Sequence, residues 1–102
     1  MVRVDAKSLV AKLDDTCRRA LEAAAGLCVS RTNYDVEIEH LLLELIEAPG
    51  ADLAALLRHY EIDASRLAAD LTRALDRLKT GNARSPSISP HVVDLLRAAW
   101  VL

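Results

Sequence analysis

"VEIEHLLLEL", Val36 to Leu45, sets Glu37, Glu39, His40 and Glu44 before and among four leucines. Two readings compete. His40 and Glu44 stand four apart and could share a helix face as metal ligands. Alternatively, the acidic residues open a helix whose dipole favours negative charge in its first turn. A metal site needs a third ligand, and His59 and His91 lie in other segments with no spacing relation to His40. The order is also not the H-E-x-x-H of zinc hydrolases. On a helix, Leu41, Leu42, Leu43, Leu45 and Ile46 cover most of the circumference. Glu37, His40, Glu44 and Glu47 then fall at i, i+3, i+7 and i+10 as one polar stripe. The stretch predicts a central, largely buried helix over residues 37–47, with no metal and no acid/base chemistry.

Upstream, Asp14 is a good N-cap for a long helix over 15–31, with Asp15 in its first turn. Cys17, Leu21, Ala24 and Cys28 recur at i, i+4, i+7 and i+11, the spacing of a core face. A shorter helix over 5–13 precedes it, with Leu9, Val10 and Leu13 on one side. "RTNYD", residues 31–35, breaks the helical pattern. Downstream, "APG" at 48–50 is a stop signal, followed by a short helix over 52–60. Asp63 caps a long helix reaching Leu78, with Leu67, Leu71, Leu75 and Leu78 on one face and Arg66, Asp70, Arg73, Asp76 and Arg77 on the other. "KTGNARSPSISP", 79–90, is the one long loop, and Ser89 with Pro90 at the first helical position starts a last helix.

That helix is still running at Trp100, Val101 and Leu102. Shifting the sequence by 75 lays "LDDTCRRALEAAAGL" over "ISPHVVDLLRAAWVL", with Leu21/Leu96, Ala23/Ala98, Ala24/Ala99 and Leu27/Leu102 identical. The pattern predicts one whole repeat and the first helix of a second, cut from a longer protein.

Leu (18) and Ala (17) make up about a third of the 102 residues, Phe is absent, and the aromatics are Tyr34, Tyr60 and Trp100. Such usage favours helix over sheet, so the expectation is one all-α domain of five or six helices and no sheet. Thirteen basic and fifteen acidic residues intermix without a run that would attract phosphate backbones, which argues against nucleic acid. No apolar run approaches the roughly 18–20 residues of a membrane span. "MVRVDAKSLVAKL" is too polar for a secretory signal, so the expected address is the cytoplasm. Cys17 and Cys28, about 16 Å apart on one helix, cannot form a disulfide and read as buried thiols.

No G-x-x-x-x-G-K-[ST] is present, and Ser87 and Ser89 have no G-x-S-x-G context, so no catalytic site is expected. An apolar feature is left over. Thr16, Ala20, Ala23 and Leu27 form a second stripe beside the core face of the 15–31 helix, joined by Leu9, Leu13 and Ile88. Small side chains let another helix approach closely. Pattern alone leaves two readings: a groove that takes a helix, or a face that a second repeat covers.

At this point "CRRALEAAAGLCVSRTNYDVEIEHLLLELIE" (17–47) and "LLRHYEIDASRLAADLTRAL" (56–75) resemble the first repeat of the Clp amino-terminal domain of Hsp100 AAA+ chaperones. The resemblance covers nearly the whole chain and agrees with the shift of 75. It departs where the family carries Ser or Thr before "EH" as a helix cap, a position held here by Ile38. It implies the double Clp-N helical fold: an extra helix over 1–13, a first repeat over 14–80, a linking loop over 81–89, and the first helix of the second repeat over 90–102. Within the family the chain most resembles the ClpV (TssH) branch of type VI secretion. That branch uses this domain to bind an amino-terminal helix of the large sheath subunit, TssC or VipB, so that the ATPase rings disassemble and recycle the sheath. The groove it implies maps onto Leu9, Leu13, Thr16, Ala20 and Ala23, with Ser87 and Ile88 at the approach to the second repeat. ATP and magnesium belong to the ATPase domains of a hexameric parent, and no cofactor to this domain. The alternative is a domain of a general ClpB- or ClpA-type chaperone contacting unfolded polypeptides or adaptors, and a third reading is a helical protein with no ligand.

Overall fold

The computed structural model describes residues 15–47 and 52–101, and within them all side chains except those of Thr16, Asp52, Ala54 and residues 99–101. The expected opening helix over 5–13 and the Asp14 cap lie outside the described residues.

Helix α1, Asp15–Ser30, turns Ala20, Leu21, Ala24 and Cys28 into the core. Three of these belong to the expected face. Cys17, the fourth member of that face, is only half-buried. After α1 the chain turns sharply into β1, Asp35–Val36, and then into α2, Ile38–Glu47. Helix α2 is the central element, packed on α1 on one side and on α4 on the other. Helix α3, Asp52–His59, leads through a tight turn to α4, Ala64–Asp76. A long connection carries β2, Ser87–Ile88, before α5, Pro90–Val101.

The starts of α4 and α5 follow the sequence closely. Asp63 Oδ1 accepts the backbone N–H groups of Ser65 at 2.9 Å and Arg66 at 3.3 Å, two of the orphan donors of a helix start. Ser89 Oγ accepts Val92 N–H at 3.2 Å, and Pro90 occupies the first turn, where its missing N–H costs nothing.

The expectation of no sheet is corrected. β1 and β2 pair in parallel, Asp35 with Ser87 and Val36 with Ile88. Two residues are too few to show an alternating pattern, and the pairing joins segments 52 positions apart, so composition could not reveal it. Val36 is buried there and Ile88 packs against the core beside it.

The main cluster comprises Ala20, Leu21, Ala24, Cys28, Val36, Leu41, Val92 and Leu96, drawn from α1, β1, α2 and α5. Leu57 of α3 and Leu71 and Leu75 of α4 are buried outside it, and α4 packs on α2. The ends of α1 and α4 are tied by an ion pair between Arg31 and Asp76.

Candidate functional site

Two features stand out: a buried polar knot at the corner between α1 and α2, and the outer face of α1. The knot is built around His40, which is fully buried, and Asn33, which is 2% exposed. His40 Nδ1 accepts the backbone N–H of Glu37 at 2.9 Å. Glu37 precedes the helix and His40 is its third residue, so the imidazole takes the place that Glu or Gln fills in a capping box. This gives the helix a start although Ile38 offers no capping side chain. His40 Nε2 lies 3.0 Å from Asn33 Oδ1, and Asn33 Nδ2 donates to Lys79 O at 3.0 Å. Burial pushes the His40 pKa down and Arg31 adds to this, while Glu37 and Glu39 oppose it.

His40 therefore is not part of a solvated stripe. Of the four expected stripe residues only Glu47 is exposed, while Glu37 and Glu44 are half-buried. Desolvation, helped by Glu47, pushes the Glu44 carboxyl above its ordinary range. Desolvation, followed by Asp35 and Glu37, likewise raises the Cys28 thiol, whose S–H faces Asn33 O at 3.6 Å. Among the described residues no group of three His, Cys, Asp or Glu side chains is placed to hold a metal ion. None of their helices is long and apolar enough to cross a membrane.

The outer face of α1 divides the expected stripe. Ala23 is exposed and Leu27 half-buried. Ala20, however, is only 4% exposed and belongs to the core cluster with Ala24, its i+4 neighbour. The reading of Ala20 as a spare surface residue is corrected: it shares the side of the helix that the cluster covers. Thr16 lies in the first turn of α1 and its side chain is not described; Leu9 and Leu13 lie outside the described residues. Ser87 is exposed in β2, while Ile88 turns inward. Gly26, three residues past Ala23, is exposed with no atom within 4 Å of where a Cβ would stand. It extends the small-residue surface one turn further than the sequence reading took it; its signal, the i+3 spacing to Ala23, was present in the sequence.

The exposed Ala23 and Gly26 give the outer face of α1 a surface of small residues. The AAA+ ATPase ClpV1 of Pseudomonas aeruginosa is 37% identical over 101 residues, which is 99% of this chain and 11% of that protein. The chaperone protein ClpB of Yersinia enterocolitica is 33% identical over 95 residues, 93% of this chain and again 11% of the relative. A solved complex of a ClpV N-domain with a VipB peptide matches with a TM-score of 0.86 at 29% identity, covering 99% of this chain and 61% of the solved one. The chain thus spans about a tenth of the curated relatives it matches. The Clp repeat (R) N-terminal domain matches residues 12–101, and with that span, the capped helices and the fold in agreement, the chain belongs to the Clp repeat N-terminal domain family.

Proposed function

We propose that this chain is the substrate-recognition domain of a cytoplasmic, ClpV-type AAA+ ATPase of type VI secretion. It binds an amino-terminal helix of the large sheath subunit, TssC or VipB, and presents that subunit to the ATPase rings of a hexameric parent for disassembly and recycling of the sheath. The observation that carries this reading is the likeness, over 99% of the chain, to a ClpV N-domain solved with a VipB peptide. The residues proposed for the contact are Leu9, Leu13, Thr16 and the exposed Ala23, with a contribution from the exposed Ser87 and from Ile88. Ala20 supports it from below, as part of the core. The domain supplies affinity and selection only; ATP and magnesium act in the rings.

Likeness to ClpB supports a second reading, a general chaperone domain that contacts unfolded chains. One experiment separates the two. A labelled peptide of the sheath subunit's amino-terminal helix and a labelled unfolded protein are titrated against wild type and Ala23→Glu. Ala23 is exposed, so the substitution leaves helicity intact, while its buried charge at the contact abolishes helix binding. Equal binding of the helix by both proteins would move the groove elsewhere. Binding of the unfolded protein alone would favour the ClpB-type reading.

A further inference from the structure

His40 is the one buried histidine among the described residues, while His59 and His91 are exposed. Both of its ring nitrogens are committed. Glu37 N–H can only donate, so Nδ1 carries no proton; the proton sits on Nε2 and is donated to Asn33 Oδ1. Asn33 in turn holds the segment that follows α4, through Nδ2 to Lys79 O and through its own carbonyl to Asn82 Nδ2 at 3.2 Å. Next to it, Gly81 N–H donates to Thr32 Oγ1 at 3.0 Å and Asn82 N–H to Thr32 O at 2.9 Å. Further along, Ser87 N–H donates to Tyr34 O at 3.2 Å and Ser89 N–H to Val36 O at 3.0 Å. The 79–89 segment is thus stitched along residues 32–36, and the stitch at Lys79, through the Asn33 side chain, runs on to the imidazole.

A second proton has one place to go, Nδ1, where it would face the N–H of Glu37. Two donors would then oppose each other in a site without water-exposed alternatives. The charged groups around the ring come from every neighbouring element. Arg31 at the end of α1, itself paired with Asp76 of α4, disfavours the cation, while Glu37 and Glu39 favour it. Asp35, in β1, acts on the neighbouring Cys28 thiol. Lys79 presents its carbonyl to Asn33 and its ammonium to the Tyr34 ring, 5.2 Å from the centroid. From α5, His91 Nδ1 stands 3.6 Å from Glu37 Oε1.

The geometry points to His40 as a proton-operated latch: neutral, it holds the 79–89 segment and its strand pairing on the α1–α2 corner, and protonated, it lets that segment open as one local unit. The sign follows from burial, which lowers the folded pKa and so makes the opened corner the better proton acceptor. The latch is fully closed above about pH 6.5, the ordinary histidine value. It weakens as pH falls through the window below that value. The segment carries Ser87 and Ile88 and ends at the Ser89 cap, so its opening frees the start of α5.

Amide hydrogen exchange from pH 7.5 to 5.5, corrected for intrinsic rates, tests this on wild type, His40→Gln and His91→Gln. Glutamine can accept Glu37 N–H as in a capping box but cannot take up a proton. In wild type and His91→Gln, protection of the Asn82, Ser87 and Ser89 amides falls by up to about tenfold more than that of Leu71 and Leu75 in α4. In His40→Gln it does not change with pH. A flat wild-type profile, a slope that survives in His40→Gln, or an equal loss in α4 each overturns the latch. Imidazole 15N shifts of the wild type give a check that needs no variant. A His40 ring that keeps its neutral tautomer while the segment opens also overturns it.

Discussion

Helices α1 and α3 end in the same backbone motif and put it to different uses. At the end of α1, Thr32 N–H reaches Val29 O and Asn33 N–H reaches Cys28 O, both at 3.0 Å, with Thr32 at φ 56°. At the end of α3, Glu61 N–H reaches Arg58 O at 3.1 Å and Ile62 N–H reaches Leu57 O at 2.8 Å, with Glu61 also at φ 56°. Both are Schellman endings with a left-handed residue that is not glycine. The residue that follows sets them apart. Ile62 is about half exposed and finishes a local turn, whereas Asn33 is buried and joins His40 to Lys79. A common way of stopping a helix becomes a tertiary junction when the next side chain can donate and accept at once.

The largest expected effect is at that junction. Asn33→Ala leaves His40 Nε2–H and Lys79 O, both partners of the amide, without it. Each buried polar group left unpaired costs roughly 1–3 kcal/mol, so the variant is expected to lose about 2–4 kcal/mol in a urea titration. Ile62→Ala, the matching change at the other corner, removes a half-exposed side chain and is expected to cost under about 1 kcal/mol. Equal losses would mean that the corners do not differ as described.

The two corners also show what the sequence could and could not reveal. Local signals were legible: Asp63 and Ser89–Pro90 as starts, and the Leu67–Leu71–Leu75–Leu78 face, whose central pair is buried. These depend on neighbours within one or two turns. The His40–Asn33–Lys79 chain spans 46 positions and depends on how the corner folds, so the helical pattern assigned His40 to a polar stripe. The strand pairing failed to show for the same reason. On α1 the periodicity separated a core face from a flank, but the boundary fell differently, with Ala20 inside and Ala23 outside. Periodicity gives the angle of a residue around the helix, not how far the packing elements extend over it.

A smaller effect is expected at Glu61. A non-glycine residue in the left-handed region carries a cost of roughly 1–2 kcal/mol, partly offset by the flexibility that glycine adds to the unfolded chain. The described contacts give Glu61 no long-range partner that the change would remove. Glu61→Gly is therefore expected to stabilise by about 0.5–1 kcal/mol, read as a higher urea midpoint with an unchanged slope. A loss would show that the Glu61 side chain does more than fill a turn.

Thr32→Gly, the same substitution on the same φ, is expected to have the smallest effect. Relief of the left-handed strain is at least as large here, because Thr is β-branched. Against it stands the hydrogen bond from Gly81 N–H to Thr32 Oγ1, typically worth about 0.5–1.5 kcal/mol, together with the same unfolded-state term as at Glu61. The Asn82 bond to the Thr32 carbonyl survives the change, since it uses only backbone. Gain and loss nearly cancel, and the net change should fall within about 0.5 kcal/mol of zero. The difference between the two glycine variants measures what the 79–82 segment contributes through this hydroxyl. If Thr32→Gly stabilises as much as Glu61→Gly, the hydroxyl contact contributes little, and the α1 corner is held by Asn33 and the backbone bonds without it. If it destabilises by more than about 1.5 kcal/mol, the upper value of a single such bond, Thr32 is part of the same cooperative unit as Asn33 and His40.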